Sequence, residues 1–197
     1  MASSARSGSV LLRRAFGTTA ARLAPYPYPL IRDTAPSALS QSPAPPGGRA
    51  AIAAIRFTAP ASGDPRRGIV GWVSADGGDP QAPIRPQCFI ENRAFWPAVL
   101  EVLAEHAHQD PELQAQAAFQ KTGWMNIADG RNPPPLGRTG GAEDILGCVL
   151  LEDRRIKGGS FQANGAHCPV TADGLFQLPQ FLHARLVERL SQAAGSV

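Results

Sequence analysis

The sequence predicts an α+β fold: a helical pair, then a small antiparallel β-meander, then a C-terminal helix, all preceded by a disordered N-terminal region. Three observations predict it. Prolines are unevenly spread, with twelve of the 19 between Pro25 and Pro86. Apolar residues recur at helical spacing over 95–103 and again over 181–190. Between 145 and 178, short apolar runs are separated by turn dipeptides, Asn164-Gly165 and Asp173-Gly174. Helices, strands and helix in separate blocks are the order of an α+β domain.

Residues 1–23 read as a mitochondrial transit peptide. They carry Arg6, Arg13, Arg14 and Arg22 and no acid. On a helix, Val10, Leu11, Leu12 and Phe16 share an apolar side while arginines leave from the other. Such a cationic amphipathic segment suits a receptor groove and a potential that draws positive charge inward. Arg14, Phe16 and Thr19, with cleavage after Leu23, resemble the two-step processing site of mitochondrial presequences. That resemblance covers this segment alone and implies an address, not an activity.

Residues 24–87 read as a Pro/Gly-rich linker, mostly disordered, because proline removes ladder donors and glycine raises the entropic cost of order. PYPYP opens it, as a spacer or a polyproline recognition segment. Two apolar pieces interrupt it, at 50–57 and 68–73, each able to add an edge strand or dock on a partner.

Residues 88–192 then form the expected α+β domain, with 193–197 as a frayed tail. The first helix begins near Phe95 or Trp96, since Pro97 fits a first turn and not an interior. Val99, Leu100, Val102 and Leu103 supply its apolar side. Asp110-Pro111-Glu112 starts the second helix with an N-cap, a proline at the first position and an acid at the positive end of the dipole. Leu113, Ala117, Ala118 and Phe119 are expected to face inward, and Gly123 to end the helix as a C-cap.

After a long loop, residues 145–151 make a buried strand and Glu152-Asp153-Arg154-Arg155 a polar turn. Residues 156–163 make a second strand with a bulge at Gly158-Gly159. Asn164-Gly165 turns into a third strand over 166–171, and 175–178 is a short fourth strand or lead-in. Pro179 opens the last helix, whose Phe181, Leu182, Leu186 and Leu190 form its apolar stripe.

The loop at 123–147 holds six of the twenty glycines and three consecutive prolines. Loops this long in a small domain are functional or disordered. Its candidate binding residues are Arg131, Asn132, Arg138 and Asp144. Two arginine forks are suited to clamping a carboxylate or phosphate, with glycine amides approaching the anion. The same forks suit an internal strut, Arg131 pairing with Asp129 or Asp144.

Charge and motifs narrow the function. The formal charge is +3, yet without the first four arginines 15 basic groups face 16 acidic ones, and residues 87–197 carry 9 against 12. A nucleic-acid binder needs a basic stripe, so that class is set aside. Cys88, Cys148 and Cys168 have no zinc or redox spacing and are expected as reduced, mostly buried thiols. Glu105, His106 and His108 do not converge on a helix, and adjacent His167 and Cys168 face opposite sides of a strand. The chain holds neither a GxSxG motif nor a dinucleotide fingerprint, so no catalytic residue, cofactor or metal is assigned. No apolar run approaches the ~20 residues of a membrane helix.

DGRNPPPLGR, then EDILG, then LPQFLHARLVERL resemble a small fungal mitochondrial family over residues 119–190. The resemblance implies a mitochondrial address and a shared fold, not a reaction. The expected function is a non-enzymatic interaction module with a protein partner, an accessory or assembly factor of a mitochondrial complex, in the matrix or peripheral to the inner membrane. The alternative is a small-molecule or anion-binding enzyme using the Arg131/Arg138 loop.

Overall fold

The computed structural model describes residues 26–34, 45, 50–58, 68–75, 79–135 and 137–192. The expected transit peptide, 1–23, and frayed tail, 193–197, lie outside them. The architecture is α+β. Strands β1 (Ile31–Asp33), β2 (Ala51–Arg56), β3 (Ile69–Ser74) and β4 (Phe89–Glu91) form one antiparallel sheet in chain order. Helices α1 (Trp96–His106) and α2 (Pro111–Gln120) follow. A second antiparallel sheet contains β5 (Gly123–Ala128), β6 (Ile145–Glu152), β7 (Arg155–Ile156) and β8 (Gln162–Ala163). A ribbon of β9 (Val170–Thr171) and β10 (Gly174–Leu175) leads to helix α3 (Gln180–Gln192).

The expectation of a linker over 24–87 is corrected at the described residues of that stretch. Ala53, Ile55, Phe57, Val70, Val73 and Ile84 share one apolar core with Val99 and Leu103 of α1, Ile127 and Val149 of the second sheet, and Leu182 and Leu186 of α3. The two apolar pieces are therefore β2 and β3, interior strands of the first sheet. Residues 35–44, 46–49, 59–67 and 76–78 lie outside the described set. Residues 26–29 of the PYPYP segment are docked as well. Tyr26 and Tyr28 donate to the carbonyls of Phe176 (2.9 Å) and Leu178 (2.6 Å), themselves two residues apart. Tyr28 also stacks on His183 at 3.8 Å and Tyr26 on Phe57 at 6.0 Å. Aromatic pairs of this kind add about 0.5–1.5 kcal/mol each beyond area burial.

Local signals place most of the later elements. Pro97 sits in the first turn of α1. The Asp110 carboxylate, fully buried, caps α2 by accepting from the amides of Glu112 (2.8 Å) and Leu113 (3.0 Å). Glu105 leaves the metal-like cluster to bind Arg189 of α3 at 2.9 Å, joining the two helices. That bond holds its carboxyl below the usual range. In α3 the buried stripe is Leu182, His183, Leu186 and Leu190. Asp153 and Arg154, both at positive φ, form the tight turn between β6 and β7.

Several expectations shift. Helix α2 ends two residues before Gly123, at Lys121 (φ 78°, ψ −55°), a γ-turn closed by the Thr122 amide on the Gln120 carbonyl. The first quarter of the expected loop is strand β5, pairing antiparallel with β6 from Gly123 opposite Leu151. The strand expected over 156–163 splits into β7 and β8, both on one edge of β6, around an excursion at 157–161. Gly147 has no room for a side chain there: a Cβ would meet the Gln162 carbonyl and the Phe161 ring at 2.5 Å. Asn164-Gly165 is not a hairpin tip. The Asn164 amide instead staples two chain segments, donating to the carbonyls of Ala142 (2.7 Å) and Ile145 (2.8 Å) while its oxygen accepts from the Ala166 amide. The third strand contracts to Val170–Thr171. Ala118 and Phe119 face outward, not inward.

Candidate functional site

The four candidate residues separate into two places. Arg131 and Asp144 meet in a buried polar knot that the exposed Asn132 closes from outside, while Arg138 lies exposed on the loop that walls a surface groove.

The knot forms because β5 ends at Ala128 and the chain turns inward at Asp129. The Asp129 amide donates to the Asp144 carbonyl (2.7 Å), and the Gly130 amide to that of Gln177 (2.8 Å), fixing the turn between β5, β6 and the lead-in to α3. Asp129 is fully buried. Its Oδ1 accepts from the amides of Arg131 (3.0 Å) and Gln177 (2.8 Å). Its Oδ2 accepts from His167 Nε2 (2.9 Å), the tautomer a carboxylate partner requires. Arg131, whose side chain is fully enclosed, donates from Nε to Asp144 Oδ1 (2.9 Å). Its Nη2 reaches the carbonyls of Glu143 (2.8 Å) and Cys168 (2.7 Å), and Nη1 that of Gly174 (3.3 Å). Asn132 completes Asp144 through Oδ2 at 3.0 Å. His167 stacks on Trp96 at 5.0 Å. Tyr26 lies close enough to register Asp129: burial first, and that negative charge second, push its hydroxyl pKa upward, so it stays a donor.

Every nitrogen of Arg131 has an internal partner, so the fork joins the β5 end, the residues before β6, and the β9–β10 ribbon. This is the strut arrangement. The pair of arginines required for an anion clamp does not assemble, because one guanidinium is enclosed and the other faces solvent. An unpaired buried charge is costly, and here the guanidinium and both carboxylates are bonded, while His167 Nδ1 is buried without a hydrogen-bond partner among the described residues.

The groove is a different surface, of about 520 Å3. Its floor is β5, where Met125 and Ile127 point to the core and Trp124 and Asn126 point out. One wall is α2, through Gln116, Phe119 and Gln120; the other is Pro133, Pro134 and Pro135 with Arg138 and Thr139. Phe119 (64 % exposed) and Trp124 (50 %) are the exposed large apolar side chains among the described residues, and both line it.

Sequence reasoning found Arg131, Asp144 and the Asp129 pairing. It missed His167, whose partner is 38 residues away and announced by no spacing. It also missed the groove, although the alternation Trp124, Met125, Asn126, Ile127 was a strand signal with one outward apolar residue. Cys168 is exposed and its sulfur lies 3.8 Å from the Ala166 carbonyl, while the adjacent His167 turns inward, so these two form no dyad. Cys88 and Cys148 are half-buried. Among the described residues no cluster of three or more His, Cys, Asp or Glu could hold a metal, and no helix is long and apolar enough to cross a membrane. No family model, curated protein or solved structure matches the chain.

Proposed function

We propose that the protein is a non-enzymatic interaction module of mitochondria, an accessory or assembly factor that engages a protein partner through the groove between α2 and β5. One observation carries the reading: the two exposed large aromatics, Phe119 and Trp124, lie together on a groove floored by an edge strand. Large exposed aromatics anchor interfaces because each buries much area at little rotamer cost. The anion-enzyme alternative loses its principal residue, since the Arg131 guanidinium is enclosed and fully bonded. The mitochondrial address rests on residues 1–23 and on the resemblance of residues 119–190 to a fungal mitochondrial family.

The test is the native mass of the endogenous protein. It should co-migrate with a larger assembly, and Trp124→Ala combined with Phe119→Ala should release it without lowering the melting temperature. A free variant that has lost stability, or a bound variant, would argue against docking at this groove. The address is tested separately. Mature protein should begin at or within a few residues of Ala24, and changing Arg13, Arg14 and Arg22 to Glu should leave the protein in the cytosol. An intact Met1 on the mitochondrial form would refute the presequence.

A further inference from the structure

We propose that the groove takes one extended, acidic segment of a partner protein, which adds as a strand to the open edge of β5. The inference rests on the docking reading above and specifies what docks. Its first support is the direction of the backbone groups. In β6, Leu150 turns both its groups away from β5: its amide donates to Ser160 Oγ (3.0 Å) and its carbonyl accepts from the Lys157 amide (2.9 Å). Residues opposite one another in an antiparallel ladder share that orientation. Trp124, opposite Leu150, therefore turns its amide and carbonyl away from β6, and so does Asn126 two residues on. The Trp124 carbonyl receives the Gln120 side-chain amide at 2.8 Å. The amides of Trp124 and Asn126 and the Asn126 carbonyl face the groove, a donor–donor–acceptor edge that an added strand can read.

The second support is what this edge lacks. Proteins shield edge strands with charges, prolines or cover, because bare edges recruit other chains. The opposite edge of this sheet is broken into two short strands around 157–161, with Arg155 and Lys157 beside it. β5 reads GWMNIA, with no charge and no proline, and has no neighbouring strand on its outer side among the described residues. An edge without a neighbouring strand, capped only at the Trp124 carbonyl by Gln120 and lying beneath two exposed aromatics, is the arrangement of strand addition, in which main-chain bonds give affinity and side-chain pockets give choice. The third support is charge. Arg138 is the charged side chain among those lining the groove, so a carboxylate on the incoming segment is the complement. β5 spans six residues, which sets the docked segment at about 20 Å of extended chain.

The experiment selects decapeptides by phage display on the full-length protein, then measures binding of the tightest one by fluorescence anisotropy. The selected peptides should share alternating apolar positions and an Asp or Glu. Methylating alternate backbone nitrogens on the pairing edge should weaken binding by about tenfold or more, since strand addition depends on main-chain bonds. Asn126→Pro should do the same; its missing N–H faces the groove, so the β5–β6 ladder stays intact. If that variant misfolds, the methylated peptide on unaltered protein still decides. Arg138→Gln should weaken acidic peptides several-fold and flatten their salt dependence. If Trp124→Ala abolishes binding while both backbone changes leave it unaltered, the groove docks a partner but strand addition is wrong. Binding that survives Trp124→Ala and both backbone changes overturns this inference and the docking site together. Failure to select any peptide, selection of helical peptides, or a dimer of the protein that Asn126→Pro dissolves overturns the proposed occupant.

Discussion

Replacing Arg131 with Lys tests whether the central loop is held by a strut. Lysine keeps the positive charge beside Asp129 and Asp144 but loses the planar fork. The fork makes four bonds: one to Asp144 and three to the carbonyls of Glu143, Cys168 and Gly174. A lysine ammonium at the end of the same stem can keep a carboxylate. It cannot also reach carbonyls before β6 and on either side of the β9–β10 ribbon. The two short bonds, 2.8 and 2.7 Å, matter most, and the 3.3 Å bond little. The Glu143 carbonyl keeps the Cys168 amide at 3.1 Å, so of these two only the Cys168 carbonyl loses its donor outright. Two lost charge-assisted bonds to carbonyls of exposed residues then cost about 2 kcal/mol. For a chain of this size that lowers the melting temperature by about 4–8 °C. Urea denaturation followed by tryptophan fluorescence, with parallel thermal melts, measures both quantities. Arg138→Lys is the internal control, because an exposed arginine should shift stability by no more than about 0.5 kcal/mol. A change that small for Arg131→Lys would refute the strut. So would phosphate raising the melting temperature of the unaltered protein and not of the variant, which is the signature of ligand linkage.

Three further outcomes follow from the packing. A chain beginning at Gln87 should show no cooperative unfolding transition: it lacks Ala53, Ile55, Phe57, Val70 and Val73, a loss on the order of 10 kcal/mol, comparable to the whole stability of a domain. A sharp melt from that chain would show the first sheet to be dispensable. Leu186→Ala, at a fully buried position, should cost about 2–5 kcal/mol in urea denaturation, and an unchanged midpoint would mean that α3 is not docked through this face. His183 supplies a pH dependence. Burial lowers its pKa from 6.5 to about 4, so between these values the unfolded chain binds a proton that the folded chain does not, and stability falls as pH drops from about 6.5 to about 4. Partial solvent screening reduces the effect to about 1–2 kcal/mol. It should appear as the difference between the pH profiles of the unaltered protein and His183→Phe, which keeps the ring against Tyr28 without titrating. Parallel profiles would contradict it.

Much of the later half was legible in the sequence. The start of α1, the Asp110 cap, the β6 strand, the turn at Asp153-Arg154 and the leucine stripe of α3 are set within a few residues, by periodicity and by groups that bond their own neighbours. The candidate loop was legible too, and so was the choice between clamp and strut, but not its answer. Arg131 and Arg138 carry the same side chain seven positions apart; burial alone distinguishes them, and burial is set by Glu143, Cys168 and Gly174, contributed by other parts of the chain. Tertiary structure also reversed the reading of the described residues between 24 and 87. Proline and glycine density reports local stiffness and entropy, not what a segment touches. The tyrosines of PYPYP find their acceptors 150 residues away, at Phe176 and Leu178. Phe119 was assigned inward because helical spacing allowed it, whereas the packing of α2 against β5 and β7 took Leu113 and Ala117 and left Phe119 beside Trp124 in the groove. Periodicity defines a helix face but not its width, and only the neighbouring strands decide which residue at its margin stays in water.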